Sequence, residues 1–395
     1  MKKIPRNVIV IAFVALASGF GQDLITPILP GALTLLGFSR AGIGLIDGLL
    51  VGAASLFRFA SGIISDRFRN RKFFIFLGYA LSSVSRPLLA LFGGFGAIAA
   101  LRTLDGVGKG IKDAPRDALV ADSAAAEIRG RSFGFHRLVD TAGSVLGPIL
   151  AAALLLSFSP TLRTYKVIFV LAAVPGIIAL LLIFFGVQEP EKQQPDKIIS
   201  DKKGLPWKFW AFTFGMGVAM LTKINDSLFL LRAHETGIAF SYIPILFAGF
   251  TALYALASYP IGIWSDKIGR LPLLAAGWLV LSVVELGFSN SPGIILSLGL
   301  FALYGLFYAL TEGSGRAFIA DLTPPESRGS AYAIFHTIIG LSVIAGGYGL
   351  GFIWDFISPN VAFAVAGIGS FFGFAILLAL SFSPKSKTPH ITLNI

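Results

Sequence analysis

The amino-acid sequence predicts an all-α polytopic membrane protein in which twelve transmembrane helices form two pseudo-symmetric six-helix bundles. Three observations carry that prediction. Hydrophobic residues make up 55% and charged residues 13% of the 395 positions, half the ~25% charge of a typical soluble domain, and the mean hydropathy is +0.79. Apolar runs of roughly 20 residues recur from end to end, the length a helix needs to cross about 30 Å of hydrocarbon. The period-two alternation of a membrane β-barrel is absent. Finally, the chain repeats itself: GIISDR at Gly62–Arg67 returns 200 positions later as GIWSDK at Gly262–Lys267. The loop at Ala121–Gly130 returns at Ala320–Gly329, and Phe135-His136 returns as Phe335-His336.

Between turn and charge signals the spans fall at 7–35, 41–65, 72–92, 95–121, 132–156, 164–187, 207–232, 240–264, 271–290, 293–319, 330–356 and 360–382. The first span imitates a secretory signal, with a basic start and an A-L-A site at Ala15–Ala17. Its apolar pattern continues through GFGQDLITPILPGALTLLG, so it reads as an uncleaved helix. SDRFRNRK ends the second span, and the fourth runs from FGAIAAL into the charged stretch RTLDGVGKGIKDAPRD. AD-x6-RG separates the fourth span from the fifth and, in its second copy, the tenth from the eleventh. Gln188–Lys208 is the one long polar stretch and a natural linker. It divides the chain into an N-terminal bundle, 1–187, a linker, 188–206, and a C-terminal bundle, 207–395.

The net charge of +11 is explained by basic loops, with no nucleic-acid partner. Lys2, Lys3, Arg6, Arg67, Arg69, Arg71, Lys72, Arg129, Arg131, the linker lysines, Lys267, Arg270, Arg328, Lys385 and Lys387 gather on one side. Little beyond Arg40, Arg163, Lys166 and Arg232 falls on the other. The positive-inside rule therefore places both termini and the linker in the cytoplasm of a cell (inner) membrane protein. The chain has no Cys, so disulfides and thiolate chemistry are excluded.

The loop after span two carries Gly62, Asp66, Arg67, Arg71 and Lys72. The glycine permits close helix approach, the aspartate can accept from a helix N-terminus, and the basic cluster anchors at lipid headgroups. This resembles the loop signature of the major facilitator superfamily, G-x-x-x-D-R/K-x-G-x-R/K-R/K, with Arg69 in place of the second glycine. The second copy keeps Gly262, Asp266, Lys267, Gly269 and Arg270. Gly21-x5-Pro27-x-x-Pro30 is similar to the first-helix pattern of twelve-helix drug/proton antiporters, and Arg102-x-x-Asp105-Gly106-x-Gly108 to their fourth-helix motif. Gly134-x8-Gly143-x3-Gly147-Pro148 resembles the antiporter signature of helix five, with Ala151 and Ala152 in place of its final glycines. The resemblance implies that this glycine face packs against the opposite half, and that the substrate site lies between two mirrored bundles.

On span four, Arg102, Asp105, Lys109, Lys112, Asp113, Arg116 and Asp117 fall within an arc of about 140°. Each would cost ~2.5–3.5 kcal/mol facing lipid at mid-depth, so the stripe must face a wet cavity or the partner half. A structural network, Asp105 with Lys109 and Lys109 with Asp113 at i, i+4, is the alternative for the lower part of the stripe. On span five, His136, Asp140, Gly143 and Gly147 share a face, with Arg137 beside them. A histidine near a carboxylate suits proton coupling, and a fixed interhelical hydrogen bond is the alternative. Asp23 and Lys223 are related by the 200-residue repeat, which makes them a candidate gate or clamp across the pathway, with Asp226 one turn on; a static link within each half is the alternative. Arg58 and Arg86 add positive lining, Glu312 and Arg316 read as an i, i+4 bridge, and Glu285 and Asp355 read as solvated span ends.

No HExxH, GxSxG or aspartate-dyad signature appears, and GVGKG lacks the context of a phosphate-binding loop. Enzyme, metal and cofactor are not expected. A charge moved through ~150 mV releases about 3.5 kcal/mol, enough for a few-hundred-fold gradient. The resemblance thus implies a monomeric secondary transporter working by alternating access, a proton antiporter exporting a small organic molecule. Proton-coupled uptake of an organic anion is the alternative, and a non-transporting membrane sensor represents a different class.

Overall fold

The computed structural model describes residues 4–68, 70–125, 128–189, 205–290, 293–323 and 327–382. Among them no strand occurs, and the helices make twelve passes. The first six are Arg6–Leu35, Arg40–Phe68, Arg71–Leu88, Phe95–Ser123, Arg129–Ser157 and Leu162–Gly186. The second six are Trp207–Glu235, Ile243–Ile268, Arg270–Ser289, Ile294–Leu322, Arg328–Phe356 and Pro359–Phe382. Ten of them are long and apolar enough to cross a membrane on composition alone. Arg71–Leu88 and Phe95–Ser123 carry the charges read from the sequence. They are tolerated because Arg86, Arg102, Asp105, Lys112 and Asp113 are buried against other spans instead of facing lipid.

The repeat reappears as repeated packing. Span one packs on five and six, two on four, and three on four and six; span seven packs on eleven and twelve, eight on ten, and nine on ten and twelve. The bundles meet where span two lies along eleven and span five along eight. The turns after spans one and seven each use a glycine at positive φ, Gly37 at 80° and Gly237 at 108°, a conformation costly to other residues. Arg71 pairs with Asp122 at 2.5 Å, and its counterpart Arg270 pairs with Asp321 at 3.3 Å. Each pair ties a span to its neighbour through one copy of the AD-x6-RG loop.

Several expectations are corrected. Gly143 and Gly147 pack against span one of their own half: a Cβ on either would fall on the carbonyl of Leu16 or Phe20. Pro148 is buried beside them, while Gly134 is exposed with open space around it. The seam between halves is made by span two instead, where Gly44, Gly48 and Gly52 meet Gly340, Ile344 and Gly347 of span eleven. Span seven runs on to Glu235 after a break, because the Asn225 side chain accepts from the Leu228 amide at 3.1 Å and restarts the helix. Of the two residues read as solvated span ends, Asp355 is exposed and Glu285 is not. Glu285 is fully buried, and the Asp355 carboxylate accepts from the amides of Arg40 and Ala41 at 3.0 and 2.8 Å. The side chains of Asp66, Arg67, Asp266, Arg316 and Arg328 lie outside the described residues, as do Arg69 and most of the linker expected at 188–206.

Candidate functional site

Where the linker begins, Gln188 accepts from the Asn7 side chain at 2.9 Å, and Glu189 accepts from the amides of Arg71 and Lys72 at 2.8 and 2.9 Å. This defines a linker face, at which spans one, three and five start and spans two and four end. The opposite, far face is closed between the bundles. Asp355 caps span two there, Arg40 pairs with Glu235 at 3.9 Å, and the Ser241 hydroxyl donates to the Leu155 carbonyl at 3.0 Å. Deeper in, the Asn225 amide group donates to the Gly44 carbonyl at 3.0 Å.

Below that closure lies a cavity of about 750 Å³ between the bundles, within the size range of small-molecule sites. It reaches from Asp226 and Phe247 at mid-depth to Gly62, Asp117 and Tyr332 on the linker-side turns of their spans. The N-terminal wall is charged, with Asp23, Arg58, Lys109, Lys112, Asp113 and Asp140. The C-terminal wall is largely aromatic, with Phe247, Phe250, Tyr254, Tyr308, Tyr332 and His336. Mid-membrane charge and a polar cavity coincide, as an enclosed aqueous route requires.

Most of these charges are already paired. Arg58 meets Asp113 at 2.6 Å, and Arg116 meets Asp113 at 3.4 Å and Asp117 at 2.9 Å. Lys112 donates to the Ser18 hydroxyl at 3.1 Å and lies 4.0 Å from the centre of the Tyr79 ring. Asp226 accepts from Tyr304 at 2.5 Å and Tyr308 at 2.8 Å, with Lys223 at 4.0 Å. Arg137 bridges the halves: it donates to the Tyr254 hydroxyl, which donates to Glu312, and it lies 3.6 Å from Glu312 itself. Asp140 is 3.9 Å from Arg137. Two groups stand apart. Asp23 accepts from its neighbour Gln22 at 3.3 Å and from Ser144 of span five but is in no ion pair, and Lys109 has neither an ion pair nor a hydrogen bond among the described residues.

Some predicted site residues lie elsewhere. Arg86, Arg102 and Asp105 do not line the cavity. Asp105 receives Arg86 at 3.1 Å and Arg102 at 3.4 Å, and Arg86 also donates to the Ser18 carbonyl at 3.1 Å. They form a sealed knot within the first bundle. The predicted pairs Asp105–Lys109 and Lys109–Asp113 do not form, because guanidinium groups occupy both carboxylates. Asp23 and Lys223 do not meet; Lys223 stays in its own half, donating to the Ile224 carbonyl at 3.1 Å and to Tyr304 at 3.3 Å. His136 is buried with its Nε2 unpartnered and makes no hydrogen bond to Asp140. Glu312 engages Tyr254 and Arg137, while Arg316 is not described at side-chain level. Tyr304 and Tyr308 were not foreseen, although their spacing with Glu312 (i, i+4, i+8) places all three on one face of span ten.

Twelve passes, a doubled packing plan and a polar cavity closed at one end define a membrane carrier. The sequence model of the Major Facilitator Superfamily matches residues 11–231 and again 209–393. An uncharacterized MFS-type transporter of Methanocaldococcus jannaschii is 32% identical over 93% of each chain. The multidrug resistance protein MdtH of Salmonella newport is 26% identical, covering 91% of this chain and 89% of that one. Among solved structures, the nucleoside transporter NupG superposes with a TM-score of 0.75 at 15% identity, over 95% of this chain and 99% of that one. The chain belongs to the major facilitator superfamily. It is a multi-pass membrane transporter of small molecules and not an enzyme.

Proposed function

We propose that this transporter is a proton-coupled antiporter that exports a small organic solute, with its linker face and both termini in the cytoplasm. The bodies that move are 1–187 and 207–395, joined by 188–206. The observation that carries this reading is the presence of Asp23 and Lys109 in one cavity with neither in an ion pair. A carboxylate in that position can exchange a proton for a solute group, and Lys109 lines the same cavity as a fixed cation for an anionic one. Asp140, on the same wall, is a second proton acceptor. The basic loops on the linker face support the orientation, and the relative named for multidrug resistance supports export.

The test is transport in proteoliposomes across a panel of organic compounds under an imposed pH gradient. The parent should drive a compound against its gradient. Asp23→Asn and Lys109→Ala should lose gradient-driven transport, whereas Lys166→Gln, exposed and outside the cavity, should retain coupling. If parent and Asp23→Asn move the compound equally with and without the pH gradient, proton coupling is refuted. The unpaired Lys109 facing an aromatic wall also favours a second reading, uptake of an organic anion, and the direction of the gradient that drives accumulation separates the two.

A further inference from the structure

Glu285 on span nine is fully buried at bilayer depth and takes no part in the cavity. Its carboxyl accepts from the Ile224 amide at 3.0 Å and bonds the Ser370 hydroxyl of span twelve at 2.5 Å. Ile224 lies in the break of span seven. The helix stops at Thr222, Lys223 is extended at φ −73° and ψ 123°, and Asn225 caps the next helix. The peptide groups of Ile224 therefore belong to neither helix, and both are taken by side chains: Glu285 holds the N–H and Lys223 holds the carbonyl. A helix interrupted within a membrane persists only where its freed backbone groups find such partners, and a buried ionisable residue there marks function by default.

The interruption has two consequences for the transporter. It sets Asp226 on the cavity wall, where Tyr304 and Tyr308 hold it. It also carries Asn225 to span two, where its side chain donates to the Gly44 carbonyl at the seam that closes the far face. Rewinding Lys223 to Asn225 into one continuous helix would shorten and rotate everything beyond, withdrawing both groups at once.

We propose that Glu285 is a positioning residue for transport: by holding the Ile224 amide it keeps span seven interrupted, and so couples the Asp226 wall of the cavity to closure of the far face. The inference needs an alternating carrier but holds for either direction of transport and either coupling ion. What the site requires is an acceptor for an N–H and a partner for a hydroxyl, so an amide of the same shape serves as well as the carboxyl.

The chain contains no Cys, so paired spin labels can be placed without background. Leu35→Cys and Ile357→Cys are exposed on opposite halves at the far face, and pulsed EPR on the full-length protein in lipid reads their separation. Glu285→Leu should raise the ratio of far-face-open to far-face-closed molecules about tenfold, the effect of orphaning one buried amide. Glu285→Gln should keep the parent distribution. Adding Ile224→Pro to Glu285→Leu should restore it, since proline brings no N–H and Lys223 already has the extended conformation preferred before proline. An unchanged distribution in Glu285→Leu, or no recovery with proline, overturns the proposal. So does a shift in Glu285→Gln matching that of Glu285→Leu, which would assign the effect to charge. If Glu285→Leu does not accumulate in the membrane, the same logic applies to yield: the proline variant must rescue it, and failure to do so overturns the proposal.

Discussion

Asp105 and Lys109 stand at i, i+4 on span four, a spacing at which isolated helices form ion pairs, yet Asp105 binds Arg86 and Arg102 instead. Asp113 likewise binds Arg58 and Arg116. Inside a bundle the planar, weakly hydrated guanidinium outcompetes the ammonium for a buried carboxylate, and Lys109 is left for the cavity. A helical wheel reveals that these charges share a face. It cannot reveal their partners, because Arg58 and Arg86 arrive from other spans. Two substitutions should separate the roles. Arg86→Leu leaves Asp105 with Arg102 alone and should destabilise the protein by up to about 3 kcal/mol, seen as a lower unfolding temperature in detergent. Lys109→Gln breaks no pair and should leave that temperature unchanged while abolishing gradient-driven transport.

Helices are the best-read elements, since uninterrupted apolar runs fix their existence, and most observed ends lie within a few residues of expectation. What the apolar pattern hides is interruption. The break in span seven is polar only over K-I-N-D, and its stabilising partner, Glu285, lies 61 residues away from Ile224. The glycine seams show a related limit. Gly143-x3-Gly147 is visible as a close-packing motif, but the sequence does not say which helix it meets, and the partner is span one. Gly44-x3-Gly48-x3-Gly52 has the same spacing and makes the contact between halves. Gly143→Leu should abolish the folded, monodisperse peak in size-exclusion chromatography, because its Cβ meets the rigid carbonyl of Leu16. Gly134→Leu, projecting into open space, should leave that peak intact.

At the scale of the whole molecule, the duplicated sequence becomes duplicated packing, and the two most extensive contacts between bundles, two with eleven and five with eight, exchange under the same pseudo-twofold relation. That much follows from Gly62 returning as Gly262. Which face is closed does not, because closure depends on contacts such as Asp355 on the span-two amides, made between residues more than 300 positions apart. Gly347→Val tests the closure directly. Its new Cβ would meet the Gly44 carbonyl only when the far face is shut, and overpacking of ~1–3 kcal/mol would shift the balance towards opening by a factor of about 5 to 150. A single cysteine replacing Ser227, buried beside Asp47, should then react with an impermeant thiol reagent from the far side much faster than in the parent.

The bare-backbone character of that seam also bears on speed. Where Gly44 touches Gly347 the two backbones meet directly, with the Asn225 side chain beside them. At that point no rotamer has to turn for the spans to part, while the Ile344 side chain over Gly52 is the knob that must withdraw. The lock is one of fit and a few polar stitches, quick to undo and quick to remake in every turnover.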